Sequence, residues 1–417
     1  MKSKLIFMTL SSFFMMSLTQ SDKCTKPVYE IIPQANVLVL AGAKDSPVLS
    51  LYRLEEGVPT EIFTFPTLAF QECYTAYSLG MTIQQSPDKN KLLYSTTTDV
   101  AYCLVEQKSY PDPGLCNLYI MDISGPKATQ KFLAHGFHEQ WSPDGKLISF
   151  YGIQGNEEGL FICKPDGSDL KKLTGFVGRP YQWSHDSKMI CVAGDFIYYI
   201  EVATSQVRNT GIETRTHHSH VIWSPDDVFT GFVRGFTTTP EDTTPYFKLL
   251  RDVYTTPSYA LNTVYRNITN TPDEDEFVFQ WSPDGKSIAF HTYTSSPKIE
   301  GEVYVVHSDG SKKINLSQDN TALNTLLCWS RDGSRVYFSE HSNGNYKIYS
   351  CKPDGTDKKV SKFKSTFLYS PDGKYVAYSG DNDIYIALSD ESEVKGIPIY
   401  VEHGKPGYLP KVIGWTK

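Results

Sequence analysis

Along most of the chain, apolar and polar residues alternate in short runs that are cut by Pro, Asp and Gly. KLISFYG at 146–152, SIAFH at 287–291, VYVVH at 303–307 and YVAYS at 375–379 place β-branched and aromatic side chains with the period of two that a half-buried strand requires. No stretch longer than a few residues carries the 3.6-residue period of an amphipathic helix, and helix caps are absent. The pattern predicts an all-β chain of many short strands.

The alternating runs are copies of one unit. QWSPDGKLISFY at 140 returns as QQSPDKNKLLYS at 84, QWSHDSKMICVA at 182, IWSPDDVFTGFV at 222, QWSPDGKSIAFH at 280, CWSRDGSRVYFS at 328 and LYSPDGKYVAYS at 368. The anchoring serines stand at 86, 142, 184, 224, 282, 330 and 370, a spacing of the size of one propeller blade, ~40–50 residues. Pro and Asp suit the first positions of a turn and Gly tolerates a positive φ, so Ser-Pro-Asp-Gly is read as a turn and the Trp before it as packing between adjacent sheets. A second strand follows each turn strand, then a weaker third. With the anchor strand this predicts four-stranded antiparallel blades.

Residues 28–65 supply strands without an anchor, NVLVLAGAK, VLSLYRL and EIFTF, and the C-terminal LPKVIGWTK supplies an anchor strand with nothing behind it. Pairing the two ends makes a composite blade, which removes an open sheet edge. The expected fold is a β-propeller of eight blades, or seven if one unit is not a full sheet, closed by the N- and C-terminal strands.

These WSPDGK and YVVHSDG units resemble the TolB-type, WD-like propeller repeats, which also form the non-catalytic half of prolyl-oligopeptidase-family peptidases. The resemblance covers nearly all of the chain after its first residues and implies a fold more firmly than a function, because the scaffold carries binders, enzyme gates and a few enzymes. TolB relatives dock protein partners across the channel mouth, so the resemblance implies a protein-binding face. The Gly-x-Ser-x-Gly elbow of a peptidase is missing, as are P-loop and dinucleotide glycine motifs and paired CxxC zinc spacings.

One cluster of residue types points to chemistry. His138 in HEQWSPDG and His220 in HSHVIWSPDD both sit four residues before an anchor Ser, and His218 sits two residues before His220 on the same strand face. Three imidazoles at one end of a ring suit a divalent transition metal. The arrangement is similar to that of the oligogalacturonate lyase family, whose histidines bind a metal, typically manganese. The resemblance implies a Mn or Zn site at His138, His218 and His220, with Arg179 or Arg215 left to act as base or clamp. Arg215 stands where the family has a ligand Gln, and the blade before His138 offers only TIQQSPD in place of the catalytic Arg.

Composition narrows the remaining classes. A net charge of −7 with scattered Lys and Arg gives no basic stripe for nucleic acid. MKSKLIFMTLSSFFMMSLTQSD places two lysines before an apolar run too short to span a bilayer, which predicts a signal peptide over residues 1–21, a single propeller domain over 22–417, and a periplasmic or secreted, non-transmembrane, monomeric product. All eight cysteines follow the expected cut. Cys103 and Cys116, which flank VEQKSYPDPGL, are the favoured disulfide, and Cys163 and Cys351 occupy equivalent slots that suit a buried thiol as well as a bridge. TTTPEDTTPYF at 237–247 and the acidic DEDE at 273–276 are weighed as calcium sites and read instead as solvated loops.

The expected function is that of an exported binding module for a protein partner or carbohydrate ligand, without a cofactor or catalytic activity. The unequal segments 96–117 and 237–258 mark its recognition face. The alternative is a metal-dependent polysaccharide lyase acting by β-elimination on uronates.

Overall fold

A computed structural model describes residues 37–42, 49–55, 58–65, 83–97, 116–176, 180–215, 220–237, 249–259, 264–271, 274–294, 300–318, 321–342, 344–380, 383–392, 394–398 and 408–415. Every regular element among them is a strand. The chain divides into two units, one of residues 1–111, 115–133 and 363–417, the other of residues 112–114 and 134–362. The expected signal peptide, and the Cys103 half of the expected disulfide, lie outside the described residues.

Strand pairing follows the repeat. Each copy builds an antiparallel meander in chain order, and each sheet is named here for its anchor serine. The Ser184 sheet comprises Tyr181–Trp183, Met189–Ala193, Phe196–Glu201 and Val207–Glu213. The Ser224, Ser282, Ser330 and Ser370 sheets have the same four-stranded order. The Ser86 and Ser142 meanders run together as one seven-stranded order through a single long strand, Thr129–Trp141, whose residues from Gly136 onward pair with Ile148–Gln154. A terminal sheet joins Val37–Gly42, Leu49–Glu55 and Val58–Thr64 to Tyr408–Trp415, with Val37 opposite Trp415 and Leu40 opposite Lys411.

The tetrapeptide turn has one construction in all seven copies. The Ser Oγ donates to the Asp two residues on at 2.6–2.7 Å and accepts the backbone N–H five residues on at 2.8–3.0 Å. The hydroxyl bond holds the carboxyls of Asp88, Asp226, Asp284, Asp332 and Asp372 below the ordinary carboxylate range. A second turn repeats between the third and fourth strands: Asp166, Asp309, Asp354 and Asp390 each accept the hydroxyl and the N–H of the Ser or Thr two residues on.

Within each unit, neighbouring sheets are tied at their anchor strands as the Trp placement predicts. Trp223 Nε1 donates to Gln182 O at 3.1 Å, Trp329 Nε1 to Gln280 O at 3.3 Å and Trp415 Nε1 to Leu368 O at 3.1 Å, in each case reaching back to the preceding sheet. The Gln before the Trp reaches forward: Gln140 Nε2 donates to Tyr181 O at 2.8 Å and Gln280 Nε2 to Leu327 O at 2.9 Å, while Gln182 Oε1 accepts Trp223 N–H at 3.0 Å. Most sheets, though not the Ser184 sheet, also stack an aromatic of the second strand on one of the third, as in Phe290 on Tyr304, Phe338 on Tyr349 and Tyr378 on Tyr385. Lysines cover these pairs from the outer side: Lys313 lies over Tyr304 and donates to Thr269 O of the preceding sheet, and Lys358 lies over Tyr349 and donates to Ser317 O.

Two expectations are corrected. Asp275 and Glu276 of the acidic run do not lie in a solvated loop, since Asp275–Trp281 is a strand and Glu276 is fully buried in it. Segment 237–258 is not one loop either, because Leu249–Pro257 is a nine-residue strand paired along its length with Phe229–Thr237. The reason is the same in both places: each segment pairs along a neighbouring strand, Glu276 opposite Thr292 and Asp252 opposite Arg234, so pairing rather than charge decides which positions are buried. Cys163 and Cys351 are buried thiols, and burial pushes Cys163 up to about 12.

Candidate functional site

The residues that recur in every copy are engaged in the fold. The Ser hydroxyls and Asp carboxylates make the turns in all seven copies and most of the Gln and Trp side chains make the ties described above, so a site is sought among residues that break the repeat. His138 does so by its conformation, although a register shift before the anchor Trp also occurs in the Ser282 and Ser330 sheets. Phe137 pairs with Tyr151 and Gln140 with Ser149, so His138 and Glu139 together oppose the single residue Phe150. His138 takes a positive φ of 54° at this bulge, a conformation that non-glycine residues seldom adopt. The bulge turns the His138 side chain outward and the Glu139 side chain inward, where it is 1% exposed.

A buried relay fixes the bulge from behind. Trp183 Nε1 donates to Ser149 Oγ at 2.7 Å, Ser149 Oγ donates to the Tyr181 hydroxyl at 3.1 Å, and that hydroxyl donates to the His138 carbonyl. The Tyr181 phenol is raised well above its ordinary value, first by burial and also by Tyr151 and Glu139 nearby. The His138 ring lies edge-on to Phe137, with centroids 5.1 Å apart, and near Tyr151 at 6.3 Å. Although one side of the ring is open to solvent, lost hydration lowers its pKa and keeps the imidazole neutral at neutral pH.

His220 is exposed just before Val221–Trp223, and its carbonyl accepts Val233 N–H at 3.1 Å. Arg215 is exposed with a φ of 54°, and its Nε donates to Glu213 Oε2 at 3.1 Å. His218 and Arg179 lie outside the described residues. Among the described residues no three His, Cys, Asp or Glu side chains are grouped to hold a metal ion.

Reading the repeat alone missed two further groups. His185 and Asp227 replace the Pro and the Gly of successive turns, and they meet: Asp227 Oδ1 lies 2.7 Å from His185 Nδ1 and accepts His185 N–H at 3.0 Å, while Oδ2 accepts Asp186 N–H at 3.1 Å. The paired departures from the repeat were the available signal. Asp252 and Glu276, both buried, approach through Thr269 and Thr271, and nothing in their separate stretches signals that meeting.

A family model described as the SMP-30/Gluconolactonase/LRE-like region matches residues 279–401. The chain is 32% identical over 110 residues to dipeptidyl-peptidase 5 of Porphyromonas endodontalis, a match over 25% of this chain and 16% of that protein. Among solved structures, a eukaryotic initiation factor aligns with a TM-score of 0.51 at 14% identity, over 86% of this chain and 83% of the other. The tricorn protease aligns at 0.51 and 11% identity, over 88% of this chain and 39% of the other. An oligogalacturonate lyase in complex with manganese aligns at 0.48 and 13% identity over 77% of this chain and 84% of the other, too distant to argue for a metal here. Likeness at these identities is one of fold alone: four-stranded meanders of the propeller type, in an all-β chain.

Proposed function

We propose that the chain is an exported, TolB-like binding module: a single propeller ring, closed by the terminal sheet, that takes a protein partner or carbohydrate ligand and has no catalysis of its own. The observation that carries this reading is the engagement of the repeat residues. Ser and Asp of all seven copies, and Gln and Trp of most of those that carry them, are bonded to backbone or to one another, which leaves recognition to what differs between copies. Among the links between second and third strands of the copies, the segments 98–115 and 238–248 are the longest, and they are assigned the recognition role. Export by a leader over residues 1–21 and a monomeric state belong to the same proposal. Replacing both segments by short Gly-Ser linkers is expected to abolish partner retention in affinity capture from envelope or culture extracts while leaving the melting temperature within a few degrees. Equal retention by the intact and linker forms rejects the assignment.

A second reading rests on the His138 bulge. A neutral, outward imidazole on a strained bulge suits a metal ligand, and His138, His218 and His220 would together hold a divalent ion such as Mn or Zn. Such an ion would neutralise a uronate carboxylate and acidify the adjoining C–H, with Arg215 or Arg179 assigned to base or clamp. The Arg215 pairing with Glu213 weighs against it as a free base. Elemental analysis of the purified protein tests the reading: a stoichiometric metal that His138→Ala removes supports it, and a metal-free protein that yields no unsaturated product from oligogalacturonate rejects it.

A further inference from the structure

We propose that Asp252 and Glu276 share a single proton in the folded protein, and that this proton is a pH-sensitive pin between the Ser224 and Ser282 sheets. Asp252 stands on Leu249–Pro257 and Glu276 on Asp275–Trp281, and they are 3% and 0% exposed. Two hydroxyls lie between them. Thr269 Oγ1 is 3.2 Å from Asp252 Oδ1 and 2.9 Å from Glu276 Oε2, while Thr271 Oγ1 is 3.1 Å from Asp252 Oδ1 and closer still to Glu276 Oε1.

A count of hydrogens decides the protonation. Four hydroxyl–carboxyl contacts are served by only two hydroxyl protons, since each Thr carries one. Thr269 Oγ1 also accepts Val253 N–H at 3.1 Å, which occupies one of its two lone pairs and leaves one for a carboxyl proton. The other donors, Thr271 N–H at 3.1 Å on Oδ1 and Asn267 Nδ2 at 2.6 Å on Oδ2, all serve Asp252. With both carboxyls ionised, two contacts would set lone pair against lone pair in a site closed to water, a costly arrangement. One proton on Glu276 turns one of these contacts into a hydrogen bond and removes the second buried charge.

Among the surrounding charges, Arg234 is the strand partner of Asp252, with its guanidinium over the Tyr254 and Tyr265 rings. Arg251, next to Asp252, is engaged by Asp275 through Nε at 2.8 Å and through Nη2. Lys313 Nζ donates to Thr269 O at 3.1 Å, facing the backbone. Tyr304, Glu302 and Glu274 add a phenol and two carboxyls on the far side, with the Tyr304 hydroxyl donating to Glu302 at 3.1 Å. Tyr254 accepts Asn267 Nδ2 at 3.2 Å, and the strand partner of Glu276 is the uncharged Thr292. Burial first, and then Asp252, push the Glu276 carboxyl well above its ordinary 4.5.

The sign follows. An acid held above its unfolded value stabilises fully below 4.5 and loses that contribution as pH rises through the folded value, so within this window unfolding releases one proton. The pin goes beyond the binding reading and does not depend on it. Urea melts of the full chain across this window test it. The unfolding constant of the unaltered protein is expected to rise about tenfold per pH unit more than that of Glu276→Gln, which has no proton to release. Asp252→Asn, which removes the neighbouring charge, is expected to flatten the same slope. A flattened slope in either variant supports the shared proton, and unaltered slopes in both overturn it.

Discussion

Asp227 stands where four other copies of the turn carry glycine at a positive φ, and it adopts the same left-handed conformation at 58°. A non-glycine residue meets a steric cost there, its Cβ crowding the following carbonyl oxygen, which its three bonds to His185 and Asp186 offset. Asp227→Gly is therefore expected to destabilise the protein, by about 1–2 kcal/mol in urea melts, although it restores the repeat. His291 makes a second prediction at this scale. It is 5% exposed, and burial lowers its pKa from 6.5 to about 4. The unfolded chain takes up this proton first, so stability falls as pH drops from 6.5 towards 4, by up to about 3 kcal/mol. His291→Phe is expected to flatten that acid limb in pH-dependent melts. The sign is opposite to that of Glu276, which separates the two groups experimentally.

At the scale of the element, sheet packing depends on close approach at the anchor strands. A Cβ on Gly231 would lie 2.6 Å from Phe279 Cε2 and 3.2 Å from Trp281 Nε1, so the Ser224 sheet uses glycine to admit the aromatic rings of the next. Gly231→Ala is expected to lower stability by about 1–3 kcal/mol, read by thermal or urea melts. The strands, the turn and the Trp contact were legible in the sequence, because a period of two and a turn tetrapeptide are local features that repeat. The His138 bulge was not, since it arises from register: only pairing with Tyr151 on one side and Ser149 on the other reveals the extra residue. Asp252 and Glu276 stayed hidden for a related reason. They belong to different copies and are joined by threonines that look like loop residues in NITNTPDEDE. An Asn267-Ile-Thr acceptor pattern is also legible there, yet the Asn267 amide donates to Asp252 and Tyr254.

At the scale of the molecule, the two chain ends share the terminal sheet. Gln85 binds both the N–H and the carbonyl of Trp415, and Trp415 is 4% exposed among Val37, Val39 and Ile384. Removing residues 408–417 exposes the edge of Val37–Gly42 and is expected to broaden unfolding and raise protease sensitivity in the first unit, as limited proteolysis would report. The central claim is that the repeat builds a scaffold and that the segments 98–115 and 238–248 do the recognising. Affinity capture with the intact chain beside the doubly linker-replaced chain tests it most directly. The account predicts a partner retained by the intact chain and lost on replacement of the two segments, and the same retention by both forms would contradict it.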